Sequence, residues 1–179
     1  MLGMLKHVLF CLVLIAPLTA WGDERLDDLF AKLQMAPDEI SALEIEEQVW
    51  IAWTTPDDPA LAEQMKQVLR ARRESNFTKA LSLLDEIVAR WSDYAEGWNQ
   101  RATVHFMLGR AEASLADIEE TLKREPRHFG ALSGRAMIYA QQGKTDLAVQ
   151  NILAAMTHHP YVRERHLLPG LLGQEVEPN

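Results

Sequence analysis

The chain has 179 residues, of which 47% are hydrophobic and 25% charged, and its net charge is −8 at neutral pH. This balance is typical of a folded globular protein and excludes an intrinsically disordered chain. Nucleic acid and anionic membrane surfaces are disfavoured as partners, because their phosphates are neutralised by clustered lysine and arginine, and acidic residues outnumber basic ones here by 26 to 18.

The first 22 residues have the pattern of a secretory signal peptide. Lys6 supplies a positive flank, and residues 8–18 are almost wholly apolar. Small residues at positions 20 and 22 then precede the acidic Asp23. The apolar run is about half the roughly 20 residues that a membrane-spanning helix needs. We therefore expect cleavage before Asp23, export to the periplasm or, alternatively, secretion, and no stable membrane insertion after cleavage.

Chemistry-bearing residues are sparse in the rest of the chain. The single cysteine, Cys11, lies inside the expected signal peptide, so a mature chain has no disulfide and no catalytic thiolate. The histidines lack the i, i+4 spacing with a completing carboxylate that a metal site requires. No nucleophile motif or phosphate-binding glycine loop is present. The sequence therefore predicts no metal, no cofactor and no enzymatic activity.

Residues 23–56 are predicted to form a helical hairpin. Apolar residues three and four apart indicate a short helix that ends at Pro37, and a second helix from about Asp38 to Trp53. Trp50 widens the apolar stripe of the second helix.

A period of 34 residues governs the chain that follows. Such periods are typical of stacked repeats, which bind other molecules more often than they catalyse reactions. We expect three units within residues 57–160, at about 61–94, 95–128 and 129–160, and then a short cap and a disordered tail over 161–179. The recurring pairs are Trp98 and Leu132, Arg101 and Arg135, Ala102 and Ala136, Gly109 and Gly143, Ser114 and Ala148, Ile118 and Ile152, and Pro126 and Pro160.

Each unit is predicted to be a pair of helices, because its apolar residues are spaced three and four apart and never alternate as in a strand. Gly109 and Gly143 are expected to end first helices, since glycine readily adopts the left-handed conformation. In the first unit the Ser75–Asn76 pair replaces that glycine, and we expect Asn76 to take the positive φ.

These units resemble the tetratricopeptide repeat, whose signature is W-x2-L-G-x2-Y, then A-x3-F-x2-A, then P. About 100 residues carry the resemblance. It implies an all-α, right-handed superhelical solenoid of about three helix hairpins, with residues 23–56 as an N-terminal cap. The matching residues are Trp98, Ala102, Ser114, Ile118 and Pro126 in the second unit, and Leu132, Ala136, Tyr139, Ala148, Ile152, Ala155 and Pro160 in the third.

Two arginines depart from that signature, because Arg101 and Arg135 stand where an apolar residue usually lies between the helices. A buried arginine needs a partner. Asp117 follows Arg101 by 16 residues on the facing helix, so a structural ion pair of Arg101 with Asp117 is predicted. In the third unit Asn151 could accept a hydrogen bond from Arg135. The alternative is that these arginines bind a ligand.

The resemblance further implies that the first helix of each unit lines a concave groove that binds a protein or peptide. The best-known peptide-binding members hold a terminal carboxylate with cations and asparagine, but the matching places here lack those residues. A mixed, rather apolar contact with a peptide helix or a protein surface is expected instead. The groove candidates are Met65, Leu69, Arg72, Asn99, Thr103, Phe106, Met107, Ser133, Met137 and Gln141.

Two functions are therefore open. The first is a non-catalytic adaptor or scaffold of the cell envelope that holds a protein partner in the groove. The second is a self-associating structural module whose groove is filled by its own N-terminal helices or by a second copy. The position of Trp50 and Trp53 distinguishes the two, because these side chains either cap the end of the solenoid or enter the groove, where they block it or help to grip a partner.

Overall fold

The computed structural model describes residues 20–173, with side chains from residue 24 onward. The residues before 20 and after 173, which hold most of the expected signal peptide and the end of the expected tail, lie outside the described part of the chain. All regular structure within that part is helical, as predicted. The elements are α1 (Ala20–Gln34), α2 (Glu39–Thr54), α3 (Pro59–Arg73), α4 (Phe77–Arg90), α5 (Ala95–Met107), α6 (Ala111–Arg124), α7 (Phe129–Gln141), α8 (Thr145–His158), a 3₁₀ turn (Arg163–Leu167) and α9 (Leu168–Leu171).

Helices α3 to α8 form three consecutive hairpins, and each hairpin packs against the next. Small side chains stand where helices approach each other. Ala80, Ala136 and Ala148 are fully buried, and a larger residue there would push the helix axes apart. The chain thus folds as an all-α helical repeat.

The turns inside the repeats follow the 34-residue period. Gly109 has φ of 71° and Gly143 has φ of 70°. The prediction for the first repeat was wrong by one residue, because Ser75 adopts the positive φ, of 55°. Asn76 instead has φ of −84°, and its side chain accepts a hydrogen bond from the backbone N–H of Lys79 at 3.1 Å. Ser75 is the residue 34 positions before Gly109, so the period determines the turn and Asn76 caps α4.

Arg101 forms the ion pair with Asp117 that the spacing predicts. Its Nε and Nη2 atoms donate to the two carboxylate oxygens at 2.9 and 2.7 Å. Its Nη1 atom also donates to Asp85 on α4 at 2.9 Å, so the arginine joins two neighbouring hairpins. Arg135 donates through Nε to Asn151 in the equivalent place of the third repeat. Both arginines thus hold helices together.

The α1–α2 hairpin folds back across the array. It packs beside α3, and it also contacts the last repeat, where Gln34 Nε2 donates to the carbonyl of Thr157 at 3.1 Å. The chain after α8 contributes to the same junction, since the Tyr161 hydroxyl donates to the carbonyl of Pro37. The two ends of the described chain are therefore in contact with each other.

Residues 163–171, which belong to the expected cap and tail, are helical. Pro169 and Gly170 were expected to lead into the tail, but they belong to the short helix α9 that follows the 3₁₀ turn. Proline is compatible with the first turn of a helix, because the backbone N–H that it lacks has no partner there.

The two aspartates that accept hydrogen bonds from Arg101 provide a matched test of this fold. We expect Asp117→Ala to lower the free energy of unfolding by about 1–3 kcal/mol, because the Asp117 side chain is only 6% exposed and its loss strands a partly buried cation. Asp85→Ala removes a carboxylate that is 64% exposed from the same arginine and should cost about 1 kcal/mol or less. Urea unfolding of both variants measures the difference, and equal losses would contradict the structural role of Asp117.

Candidate functional site

A cavity of about 550 Å³ lies on the inner side of the repeats, enclosed by their first helices, by α2 and by the chain after α8. Its floor is apolar, with Ile118, Phe129 and Met137 among the lining residues. A volume of this size is typical of sites for small ligands or inserted side chains. The cavity is therefore the candidate binding site.

Six of the ten predicted groove residues line this cavity. The 34-residue period explains the set, because equivalent positions of successive first helices face the same side. Asn99 and Ser133 are one equivalent pair, and Thr103 and Met137 are another. The six residues are Arg72, Asn99, Thr103, Phe106, Ser133 and Met137.

The other four predicted groove residues do not line it. Met65 is fully buried in the core of the first hairpin. Leu69 lines a separate cleft with Thr54 at the end of α2, because α2 lies against α3 and covers this part of the first repeat. Met107 and Gln141 occupy equivalent positions, in the last turns of α5 and α7. Both side chains are exposed and lie outside the cavity.

Sequence reasoning missed several lining residues. Val162, Arg163 and Glu164 close one side of the cavity, and they lie after the last repeat, where no period applies. Gly130 and Gly134 on α7 also line it, and these two were expected on the groove, at places that the resemblance matches to the carboxylate-binding residues of peptide-binding members. Two glycines four residues apart on one face of a helix leave room for another group to approach.

Trp50 enters the cavity and Trp53 packs beneath it. The Trp50 ring meets Phe129 edge-on with ring centres 5.4 Å apart. Trp53 is 5% exposed and stacks on His128, with ring centres 4.0 Å apart and an angle of 8° between planes. The tryptophans therefore lie at the concave side of the array.

A buried carboxylate supports this arrangement. Glu96 is 1% exposed and accepts hydrogen bonds from Asn99 Nδ2 at 2.9 Å and from Gln100 Nε2. His128 Nε2–H donates to it at 2.9 Å, while His128 Nδ1 accepts from the backbone N–H of Ala131. The two bonds assign the proton to Nε2. The Glu96 carboxylate can be buried here because its oxygens accept hydrogen bonds from three donors.

Two polar side chains at the cavity wall, unlike Glu96, have buried atoms without a hydrogen-bond partner. Arg72 Nη1 donates to Gln100 Oε1, but its Nε has no partner, and neither has the hydroxyl of Ser133. Burial lowers the pKa of Arg72, and the nearby charge of Glu96 partly opposes that shift. A cation and a hydroxyl beside an apolar floor suit a ligand that combines an apolar group with an acceptor oxygen.

A second carboxylate links α2 to the last repeat. Glu46 lies 3.2 Å from His159 Nε2 and accepts from Trp50 Nε1 at 3.0 Å. The hydrogen bond from His159 lowers the pKa of Glu46 most, burial opposes this, and the bond from Trp50 adds to it. Glu46 therefore orients Trp50 while it holds the hairpin to the end of α8.

Among residues 24–173, no group of three or more histidine, cysteine or acidic side chains is placed to hold a metal ion. Within the same described part of the chain, no helix has the length and apolar character needed to cross a membrane.

The three consecutive hairpins and the glycine turns of the second and third define a helical repeat protein. The tetratricopeptide repeat model matches residues 65–118 and 108–158, and the chain belongs to this family. It is 39% identical over 156 residues to a TPR repeat-containing protein from Rhizobium etli, in an alignment that covers 87% of this chain and 76% of that protein. Repeats of this family generally mediate protein–protein interactions.

Replacing the buried carboxylate tests the network beneath the cavity. We expect Glu96→Gln to lower the free energy of unfolding by about 1–3 kcal/mol, because an amide donor would face one of the three N–H donors that Glu96 satisfies. Glu112→Gln on the exposed surface of α6 is the matched control and should change it by less than about 0.5 kcal/mol. Urea unfolding monitored by circular dichroism measures both, and a wild-type value for Glu96→Gln would contradict the network.

Proposed function

We propose that the protein is a non-catalytic adaptor that holds a protein or peptide partner at the concave side of its repeats. The observation that carries this proposal is the cavity, which faces inward from the first helices of all three repeats and combines an apolar floor with partnerless polar atoms. Membership of a family that generally mediates protein–protein interaction supports it.

The composition of the site favours binding over catalysis. Its lining includes the half-buried Arg72 and several hydroxyls among apolar groups. The hydroxyls of Thr103 and Ser114 donate to backbone carbonyls and are not paired with a base that could activate them as nucleophiles. The titratable pair at its edge, Glu46 and His159, holds α2 against α8. The polar groups around this cavity are thus suited to recognition.

A second candidate function has a specific observation in its favour. Because Trp50 already lies in the concave cavity, the protein could be a structural module whose groove is filled by its own α2 or by α2 of a second copy. The two functions differ in whether another protein reaches the cavity.

Photocrosslinking separates the two candidates. We expect a photoreactive residue at Phe106, which lines the cavity, to capture one distinct protein in cells. The same residue at Glu119, exposed on α6, is the control and should not capture that protein. Met137→Asp should abolish capture from position 106, because it buries a charge in the apolar floor.

The opposite result assigns the structural role. If position 106 links only to residues 38–54 of the same chain or to a second copy, the groove is internal. The adaptor proposal would then be dropped.

We also propose that the adaptor works in the cell envelope after export, on the strength of the charge and hydropathy pattern of residues 1–22. The mature protein should begin at Asp23, which intact mass spectrometry of protein from the periplasmic fraction measures. Cleavage before Asp23 would remove the first three residues of α1 (Ala20–Gln34). The hydrogen bond from Gln34 to Thr157 on α8 would remain. A full-length mass together with a cytoplasmic distribution would contradict export.

A further inference from the structure

Arg72 differs from most half-buried arginines of the described chain, because no carboxylate there accepts a hydrogen bond from it. Its Nη1 atom donates to the side-chain oxygen of Gln100, and its buried Nε has no partner. Arg135 also lacks a carboxylate, but its Nε donates to Asn151. Arg72 is therefore the half-buried arginine whose Nε is left unsatisfied. The four that do bind a carboxylate are Arg101, Arg124, Arg127 and Arg165.

The unsatisfied edge of Arg72 is the edge that binds a carboxylate elsewhere in this protein. Arg101 donates from Nε and Nη2 to the two oxygens of Asp117, at 2.9 and 2.7 Å. Among the described residues, neither Nε nor Nη2 of Arg72 has a hydrogen-bond acceptor. Because the guanidinium is planar, these two N–H groups are parallel and match both oxygens of one carboxylate.

A chain of buried side chains holds this edge in place. Gln100, which accepts from Nη1 of Arg72, donates through Nε2 to the Glu96 carboxylate. Glu96 is itself held by Asn99 and His128. The charge of Glu96 acts on Arg72, but its oxygens bond to Gln100 and not to the guanidinium. The Nε–Nη2 edge thus has a fixed orientation before a partner binds, which lowers the entropic cost of binding.

An apolar surface and a second donor lie in the same cavity. Phe106, Ile118 and Met137 are among the residues that line it. The Ser133 side chain also lines it, is only 5% exposed and has a hydroxyl without a partner. A buried hydroxyl of this kind suits a carbonyl oxygen of an inserted group.

Helix α2 does not occupy the Arg72 side of the cavity. The ring of Trp50 lies against Phe129 and Gly130 on α7, whereas Arg72 belongs to α3. No residue of α2 forms a hydrogen bond with Arg72, and the arginine is half-buried, so part of its side chain reaches solvent. A group can therefore bind Arg72 while Trp50 and Trp53 keep their contacts in the core.

The charges around the cavity favour an anion at Arg72. The other charged lining residues are Glu46, Arg163 and Glu164. Glu46 already accepts two hydrogen bonds, and Arg163 lies close enough to stabilise its charge. Glu164 belongs to the 3₁₀ turn, which closes the side of the cavity after α8. Arg72 thus presents a cation to the cavity without a bonded counter-charge.

We propose that Arg72 anchors an aspartate or glutamate side chain of the protein partner, and that a neighbouring apolar side chain of the partner packs on Phe106, Ile118 and Met137. This inference rests on the proposed function and gives the chemistry of the partner segment. The carboxylate accepts from Nε and Nη2 of Arg72, and a backbone carbonyl of the same segment accepts from Ser133. Helix α2 stays in place.

The test uses two blocked dipeptides that differ in one group. The probe is acetyl-Asp-Phe-amide, which has a side-chain carboxylate, a phenyl ring and no terminal charge, and the control is acetyl-Asn-Phe-amide. We expect the protein to bind the probe at least about tenfold more tightly than the control, because the uncharged amide cannot form the charge-assisted pair with Arg72. Chemical-shift titration by nuclear magnetic resonance measures both dissociation constants.

Two variants locate the binding at Arg72. Arg72→Lys keeps the positive charge near Glu96 but lacks the parallel N–H pair, so it should weaken probe binding by about tenfold. Arg73→Gln removes the neighbouring charge, which is exposed and does not line the cavity, and should leave binding within about twofold. Circular dichroism melting of both variants checks that the repeats remain folded.

Equal affinity for the two dipeptides would overturn the inference, and so would full binding by Arg72→Lys. In cells, Arg72→Lys should also abolish capture from position 106, whereas Arg73→Gln should not. Capture that survives Arg72→Lys would leave the adaptor function standing and remove only the carboxylate anchor. If the wild-type chain captures no protein but still selects the acidic dipeptide, both proposals fail and Arg72 is assigned to a free carboxylic acid.

Discussion

The imidazole of His128 is the contact on which the shape of this molecule depends. One face stacks on Trp53 of α2, Nε2–H donates to the buried Glu96 of α5, and Nδ1 accepts from the first turn of α7. This side chain thereby links the N-terminal hairpin to both the second and the third repeat, within the core that Phe30 and Trp53 share with Phe129. Because ring stacking and hydrogen bonds act in different directions, the hairpin has one orientation on the array.

That orientation partly covers the concave side of the repeats. A repeat array of this kind is open along its inner surface, but here α2 covers one part and the chain from Val162 covers another. The adaptor proposal rests on the part of this cavity that α2 and the chain after α8 leave open.

Some contacts and cavity residues of this structure could be predicted from the sequence, and others could not. The Arg101–Asp117 pair followed from spacing alone, since 16 residues join facing positions of one hairpin. The predicted groove residues Asn99, Ser133, Thr103 and Met137 all line the cavity, because equivalent positions of the repeats have equivalent neighbours. Their counterparts Met65 and Leu69 do not line it, because Met65 is buried in the core of the first hairpin and Leu69 lines a separate cleft beside Thr54.

The sequence by itself determined the all-α class, the 34-residue unit, the glycine turns and the internal arginine pairs. Each of these depends on residues close in the chain or related by the period, and local backbone preference and hairpin packing are sufficient to specify them. Only the tertiary structure decided where the hairpin lies, what encloses the cavity and which groove residues remain available. Those features depend on contacts such as Glu46 with His159, 113 residues apart, for which neither local periodicity nor the repeat provides a signal.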